Sequence, residues 1–249
     1  KRIWKKEMKE FVKNANLRMG ISEKMSYEYS KIFNADFYPF FNIIDPEKWN
    51  NIKTPEKNCD NFEILYAGTI NDKNVSSLHD VANTVEEINI AGKKINYSIY
   101  TFQPRAESYK PHFNKYEKTN IYEVPEGDGI IPLLKKSDLL LLSIDFTKES
   151  MARMKYSMFT KIPAYMMSGT PVLFWGPEGI ASTEYAREGG WAIVVDKNDP
   201  KQLMVAIKEL INDPELRFSI ANKAQIMANE KHSTGVVKKQ FHSLLNTMR

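Results

Sequence analysis

The chain has few of the residues that build covalent or metal-bound frameworks. Of 249 residues, only Cys59 is a cysteine. That excludes an internal disulfide and a cysteine-rich metal site, and suits a reducing cytoplasm. The histidines (His79, His112, His232 and His242) are scattered and never at the i, i+4 spacing of a zinc-binding helix. Long apolar runs are missing too. The longest, Leu139 to Ile144 with its neighbours, falls well short of the roughly 20 residues that cross a bilayer. No signal-peptide-like segment opens the chain. Charge of one sign is also scarce: 35 Lys and Arg against 31 Asp and Glu leave a net charge of +4. The basic cluster Lys1 to Lys13 reads as a solvated helix face rather than a nucleic-acid patch, while attraction to an anionic membrane surface stays open. The first residue is Lys rather than Met, so a longer gene product is expected.

What is present is an ordinary soluble composition, 42% hydrophobic and 27% charged. Trp4 to Ala15 has helical spacing, with Trp4, Met8, Phe11 and Val12 on one face. A short strand, Leu17 to Ile21, precedes a helix from Glu23 to Phe33 capped by Ser22. Asp45-Pro46 is a turn signal, and the polar stretch 51–61 is the expected interdomain linker.

From Phe62 the chain alternates strand and helix. Expected strands are Phe62 to Ala67, Ile95 to Thr101, Asn120 to Val124, Asp138 to Ile144, Thr170 to Trp175 and Trp191 to Val195. Expected helices between them are Val75 to Ala91 (stopped by Gly92), a weakly helical Ala106 to Tyr116, Gly129 to Ser137 capped by Asp128, and Ile180 to Glu188. Repeated βα units with continuous apolar strands predict an α/β fold with a doubly wound parallel sheet. Helices follow to the end: Lys201 to Ile211, Glu215 to Glu230 and Thr234 to Met248, the first two opened by Asp-Pro.

Candidate ligand contacts lie where strands end. After the first strand of the repeat come Gly68-Thr69-Ile70-Asn71-Asp72-Lys73. Gly68 lets backbone approach a ligand and Lys73 offers a point charge, although a plain βα turn has the same letters. No Gly-x-Gly-x-x-Gly follows, which argues against a nicotinamide dinucleotide. The turn Val124-Pro125-Glu126-Gly127-Asp128-Gly129 leaves backbone free to meet a planar base, and its carboxylates are read as capping rather than metal-holding. The third segment, Ser157 to Val172, runs from a polar entry with Thr160 and Lys161 through a helix to Ser168-Gly169 and a buried strand. A hydroxyl and an ammonium at a helix start suit a diphosphate. Arg153 and Lys155, in an upstream loop of mixed charge, either join them or are merely solvated.

This third segment resembles the donor-sugar motif of GT-B glycosyltransferases. Lys161, Tyr165, Gly169, Pro171 and Val172 match, and Ala164 stands where the family has a helix glutamate. Asn42 to Asp45 resembles the family's lead into its second domain. Tyr66 to Lys73 is similar to the first carboxy-terminal strand and loop, with Thr69 in place of arginine, and the Glu184 to Arg217 region is similar to the family's ending. The resemblance implies a Rossmann-like, GT-B carboxy-terminal domain with C-terminal helices over 62–249, a linker at 51–61, and a remnant of the acceptor-side domain over 1–50. It implies a nucleoside-diphosphate sugar as donor substrate rather than a cofactor, no metal, and Gly68, Thr69, Lys73, Val124, Pro125, Ser157, Thr160 and Lys161 as donor contacts. The partners it implies are the donor and a glycan or lipid-linked acceptor, not nucleic acid. The expected place is the cytoplasm, with peripheral attachment to the inner membrane face. A general base would come from the acceptor side, so no catalytic residue is named, and these residues alone are expected not to turn over. The competing reading is a degenerate nucleotide-sugar-fold module serving in interaction, which Thr69 and Ala164 favour.

Overall fold

A computed structural model describes residues 2–57, 60–88 and 94–247, with side chains from residue 6 onward. The first part comprises α1 (Arg2–Asn14), β1 (Met19–Gly20), α2 (Glu23–Phe33), β2 (Tyr38–Pro39) and α3 (Pro46–Asn51). The Ser22 hydroxyl accepts from the Met25 N–H at 3.0 Å, as its place before α2 predicts. Asp45-Pro46 proves to be a helix start rather than a bare turn. The Asp45 carboxylate accepts from the Glu47 N–H at 3.1 Å and Pro46 begins α3. That helix sinks Trp49 into the core and ends at Asn51, the first residue of the expected linker. On α1 only Val12 of the apolar face is buried, while Met8 and Phe11 are exposed, and the Trp4 side chain lies outside the described ones.

The second part begins with β3 (Asn61–Ala67), α4 (Val75–Glu87), β4 (Lys94–Thr101), α5 (Gln103–Phe113), β5 (Thr119–Glu123) and α6 (Ile130–Lys136). It continues through β6 (Leu139–Ser143), α7 (Lys148–Met154), α8 (Ile162–Met167), β7 (Val172–Trp175), α9 (Ala181–Gly189) and β8 (Ile193–Val195). Among the described residues, six of these strands form one parallel sheet in the order β5-β4-β3-β6-β7-β8. Every residue of β6 is buried, which explains its unbroken apolar run. Each of its leucines contributes roughly 1.5–3 kcal/mol by leaving water. The expected end of α4, at Ala91 and Gly92, lies outside the described residues, as do Asn58 and Cys59 of the expected linker.

Several local expectations are corrected. Asp128 does not cap α6. Gly127 to Gly129 form a single 3-10 turn leading into it, and the Asp128 carboxylate pairs with Lys48 at 2.6 Å. Residues 148–154, expected as a loop, form α7 because the Thr147 hydroxyl accepts from the Ser150 N–H at 3.2 Å. The weakly helical segment after β4 starts earlier than its composition suggests, at Gln103.

The chain closes with α10 (Pro200–Asn212), α11 (Pro214–Met227), a π-helical turn over Ala228–His232, and α12 (Thr234–Asn246). Both Asp-Pro starts are formed as expected: Asp199 accepts from the Lys201 N–H and Asp213 from the Leu216 N–H. The π-helical turn ties the two ends of the chain together. His232 carbonyl accepts from the Ile44 N–H at 2.8 Å, and its fully buried ring bridges the Tyr185 hydroxyl and the Asn42 carbonyl.

Candidate functional site

The sheet order reverses between β3 and β6, so the connections after these two neighbouring strands leave toward opposite faces. A crevice opens there, outside the carboxyl ends of the strands. A cavity of about 310 Å³ occupies it. Its walls come from the loop after β3, the end of β6, Met154 of α7 and the entry to α8.

The loop after β3 is stiffened by its asparagines. The Asn71 carboxamide accepts from the Lys73 N–H at 2.9 Å, and the Asn74 carboxamide accepts from the Asn71 N–H at 2.9 Å. Asn74 in turn donates to the Tyr66 hydroxyl at 2.7 Å and to the Thr69 carbonyl at 2.9 Å. Asp145 secures the loop from the β6 side: its N–H donates to the Lys73 carbonyl and its carboxylate accepts from the Ser77 N–H at the start of α4.

Helix α8 is pinned to the same strand end. Tyr165 Oη accepts from the Ala67 N–H at 2.8 Å. Lys161 precedes Tyr165 by one turn and therefore lies on the same face. Its Nζ donates to the Ala67 carbonyl at 3.0 Å and sits 3.7 Å from the centre of the Tyr66 ring. Phe159 and Tyr165 lie farther round it, at 5.8 and 5.7 Å. The residue is only half-buried, but its ammonium is withdrawn among these rings. Desolvation lowers its pKa to about 7. The exit from α8 needs a left-handed residue, and Gly169 supplies it with φ of +74°.

The cavity brings together Gly68, Thr69, Lys73, Thr160 and Lys161 among the residues singled out from the sequence. It does not bring in Val124, Pro125 or Ser157. Val124 and Pro125 leave the end of β5, two strands away from β3, with the Val124 N–H on the Thr101 carbonyl. Ser157 spends its hydroxyl on the Arg153 carbonyl, at 3.5 Å. Arg153 pairs with Glu149 on α7 and Lys155 leans on the Tyr156 ring, the solvated of the two expectations for them. Ala164 is half-buried against the core, and Glu184 is paired with Lys24. Tyr66, Asn71, Asn74 and Phe159 also line the cavity and were not foreseen. The Asn71-x-x-Asn74 spacing is the signal that would have found the loop.

No protein-family model and no curated protein matches the sequence. Solved structures do match its fold. Anabaena Alr3699/HepE in complex with UDP superposes with a TM-score of 0.73 at 12% identity, covering 95% of this chain and 65% of that one. WaaG, a glycosyltransferase involved in lipopolysaccharide biosynthesis, gives 0.61 at 13% identity over 89% of this chain and 60% of its own. TarM gives 0.70 at 13% identity over 97% of this chain and 46% of its own. The chain thus has the fold of GT-B glycosyltransferases, its six-stranded sheet corresponding to their Rossmann-like carboxy-terminal domain. It spans about two thirds or less of the length of each of these proteins.

Proposed function

We propose that the chain is the donor-binding part of a glycosyltransferase that holds a nucleoside-diphosphate sugar for transfer to a polysaccharide or glycoconjugate acceptor. One observation carries the reading: two lysines from separate loops, Lys73 and Lys161, meet Gly68, Thr69 and Thr160 in one cavity at the reversal of the sheet. Two ammonium groups and two hydroxyls match the charge and hydrogen-bonding needs of a diphosphate. The comparison structures add support, since HepE was captured with UDP and with UDP-glucose at 12–13% identity over the same fold.

The finer parts of the proposal follow from this assignment. Lysines meet the diphosphate charge, so the transfer is metal-independent. The Val124-Pro125 turn at the end of β5 faces the base. Residues 1–50 belong to the acceptor side, and their exposed Met8, Phe11, Met19, Tyr27 and Ile32 are the surface it would cover. Residues 1–249 alone would then bind donor without turnover, because the acceptor must be positioned as well. The reaction would run in the cytoplasm, where nucleotide sugars are made, on acceptors at the inner membrane face.

Calorimetric titration with UDP, GDP and ADP tests the proposal. One of them binds with a single site, and Lys161→Ala weakens it by about 1.5–3 kcal/mol, the range of a charge-assisted contact. If no nucleotide binds, the chain is a nucleotide-sugar fold used for interaction instead.

A further inference from the structure

The face of the sheet shared by β3, β4 and β5 carries an anomaly that donor binding leaves unexplained. Glu63 lies on a central strand, in register with Asn96 of β4, and its side chain shares a face with Leu65. Over β6 and β7 that same face is wholly apolar, built from Leu140, Leu142, Val172 and Phe174 under helices. Over β4 and β5 it turns polar and aromatic, through Asn96, Ser98, Tyr100, Asn120 and Tyr122, which pair in register across the strands.

Asn61, Glu63, Ser98, Tyr100 and Tyr122 of this face line an open groove of about 330 Å³, within the size range of small-molecule sites. Its floor is a pair of stacked rings, Tyr100 and Tyr122, with centroids 5.2 Å apart and planes 27° from parallel. Tyr122 is 43% exposed. Burial holds the pKa of the Glu63 carboxylate above the ordinary carboxylate value, and the side chains of Ser98 and Asn96 beside it offset part of that rise. Among the described residues it forms no ion pair, which makes it an expensive group to place on a central strand. Lys57 and Lys136 balance Glu63 and Asp138 around the rim, and Lys57 already pairs with Asp138 at 3.4 Å. The groove is therefore close to neutral, unlike the two-lysine cavity, and shares no lining residue with it.

We propose that this groove is a second ligand site that takes a neutral glycan, with a sugar ring stacked on Tyr122 and its hydroxyls bonded by Glu63 and its amide and hydroxyl neighbours. An exposed aromatic plate beside a carboxylate, an amide and a hydroxyl suits a ligand with one apolar ring face and many hydroxyls. Balanced charge argues against a phosphate-bearing occupant. The site would hold a glycan chain to the protein independently of the nucleotide cavity.

Maltohexaose, cellohexaose and chitohexaose, titrated to their solubility limits into protein carrying carbon-13 in its tyrosine rings, test this. At least one shifts the Tyr100 and Tyr122 signals and binds in the presence of saturating UDP. Tyr122→Ala weakens that binding about tenfold, while Tyr122→Phe, which keeps the ring, retains most of it. Tyr122→Ala leaves UDP titration unchanged, so failure here is separable from failure of the donor assignment. The proposal is overturned if none of the three shifts these signals, if binding survives Tyr122→Ala, or if UDP displaces the glycan.

Discussion

The ammonium of Lys161 donates to the carbonyl of Ala67, one residue before Gly68, and a Cβ built at Gly68 would meet that ammonium at 2.6 Å. The glycine and the lysine are fitted to one another. Removing either changes the entrance of the cavity.

Gly68→Ala should therefore act locally and on stability together. The backbone there has φ of +156°, which a side chain rarely adopts, and the new methyl group must push Lys161 out of its place. A loss of about 1–3 kcal/mol in urea unfolding is expected, with weaker nucleotide binding. An unfolding midpoint unchanged from the parent would remove the steric argument.

Lys161→Met should do the opposite to the fold. In the native protein the pKa of Lys161 is about 7, against an ordinary 10.5. Between these values the unfolded chain binds more protons than the folded one, so this group makes stability rise with pH across about 7 to 10.5. At neutral pH the buried ammonium is a cost, and methionine removes it. Urea unfolding at pH 7 and at the upper end of the window should show a pH slope in the parent that the variant lacks. Equal slopes would mean that Lys161 is well solvated.

Nucleotide binding should draw in a proton. A diphosphate beside Lys161 restores its charge and raises its pKa, so affinity falls as pH rises above about 7. Calorimetry of UDP binding at pH 8 in buffers of different ionisation enthalpy measures this uptake directly. A heat independent of buffer would place the diphosphate away from the ammonium.

His232 should set the acid limit of the fold. Its ring is held neutral: the Tyr185 hydroxyl donates to Nε2 at 2.8 Å, Nδ1 donates to the Asn42 carbonyl at 2.9 Å, and burial lowers its pKa below the ordinary 6.5. Its contribution is complete above 6.5 and is lost as pH falls through the lowered value, because the unfolded chain takes the proton first. Unfolding free energy should drop below pH 6.5 in the parent and less steeply in His232→Gln.

Much of the fold was legible where one local signal decides the outcome. The unbroken leucines of β6 announced a strand buried on both faces, and Ser22, Asp199 and Asp213 each cap the helix expected after them. Local signals failed where a distant partner decided. Asp128 looks like a cap but is drawn to Lys48, eighty residues earlier. The mixed charge of residues 148–154 hid α7, whose cap is a threonine followed three residues later by a serine.

The site was legible in the same uneven way. Lys161 and Gly68 could be named from their motifs, and the sheet brings both to one cavity. Its ammonium turns inward because Tyr66 comes from a strand almost a hundred residues earlier, a pairing that spacing does not reveal. Val124 and Pro125 were named from a turn that leaves backbone free for a base and from the family resemblance, and they follow the end of β5, two strands from β3 and outside that cavity.

A crystal structure of the chain with UDP bound at saturating concentration tests the central claim most directly. The diphosphate should lie in the cavity at the reversal of the sheet, with an oxygen within about 2.7–3.2 Å of Lys161 Nζ and Lys73 facing it from the other wall. A cavity left empty, or a nucleotide bound elsewhere while Lys161 keeps its bond to the Ala67 carbonyl, would contradict the account.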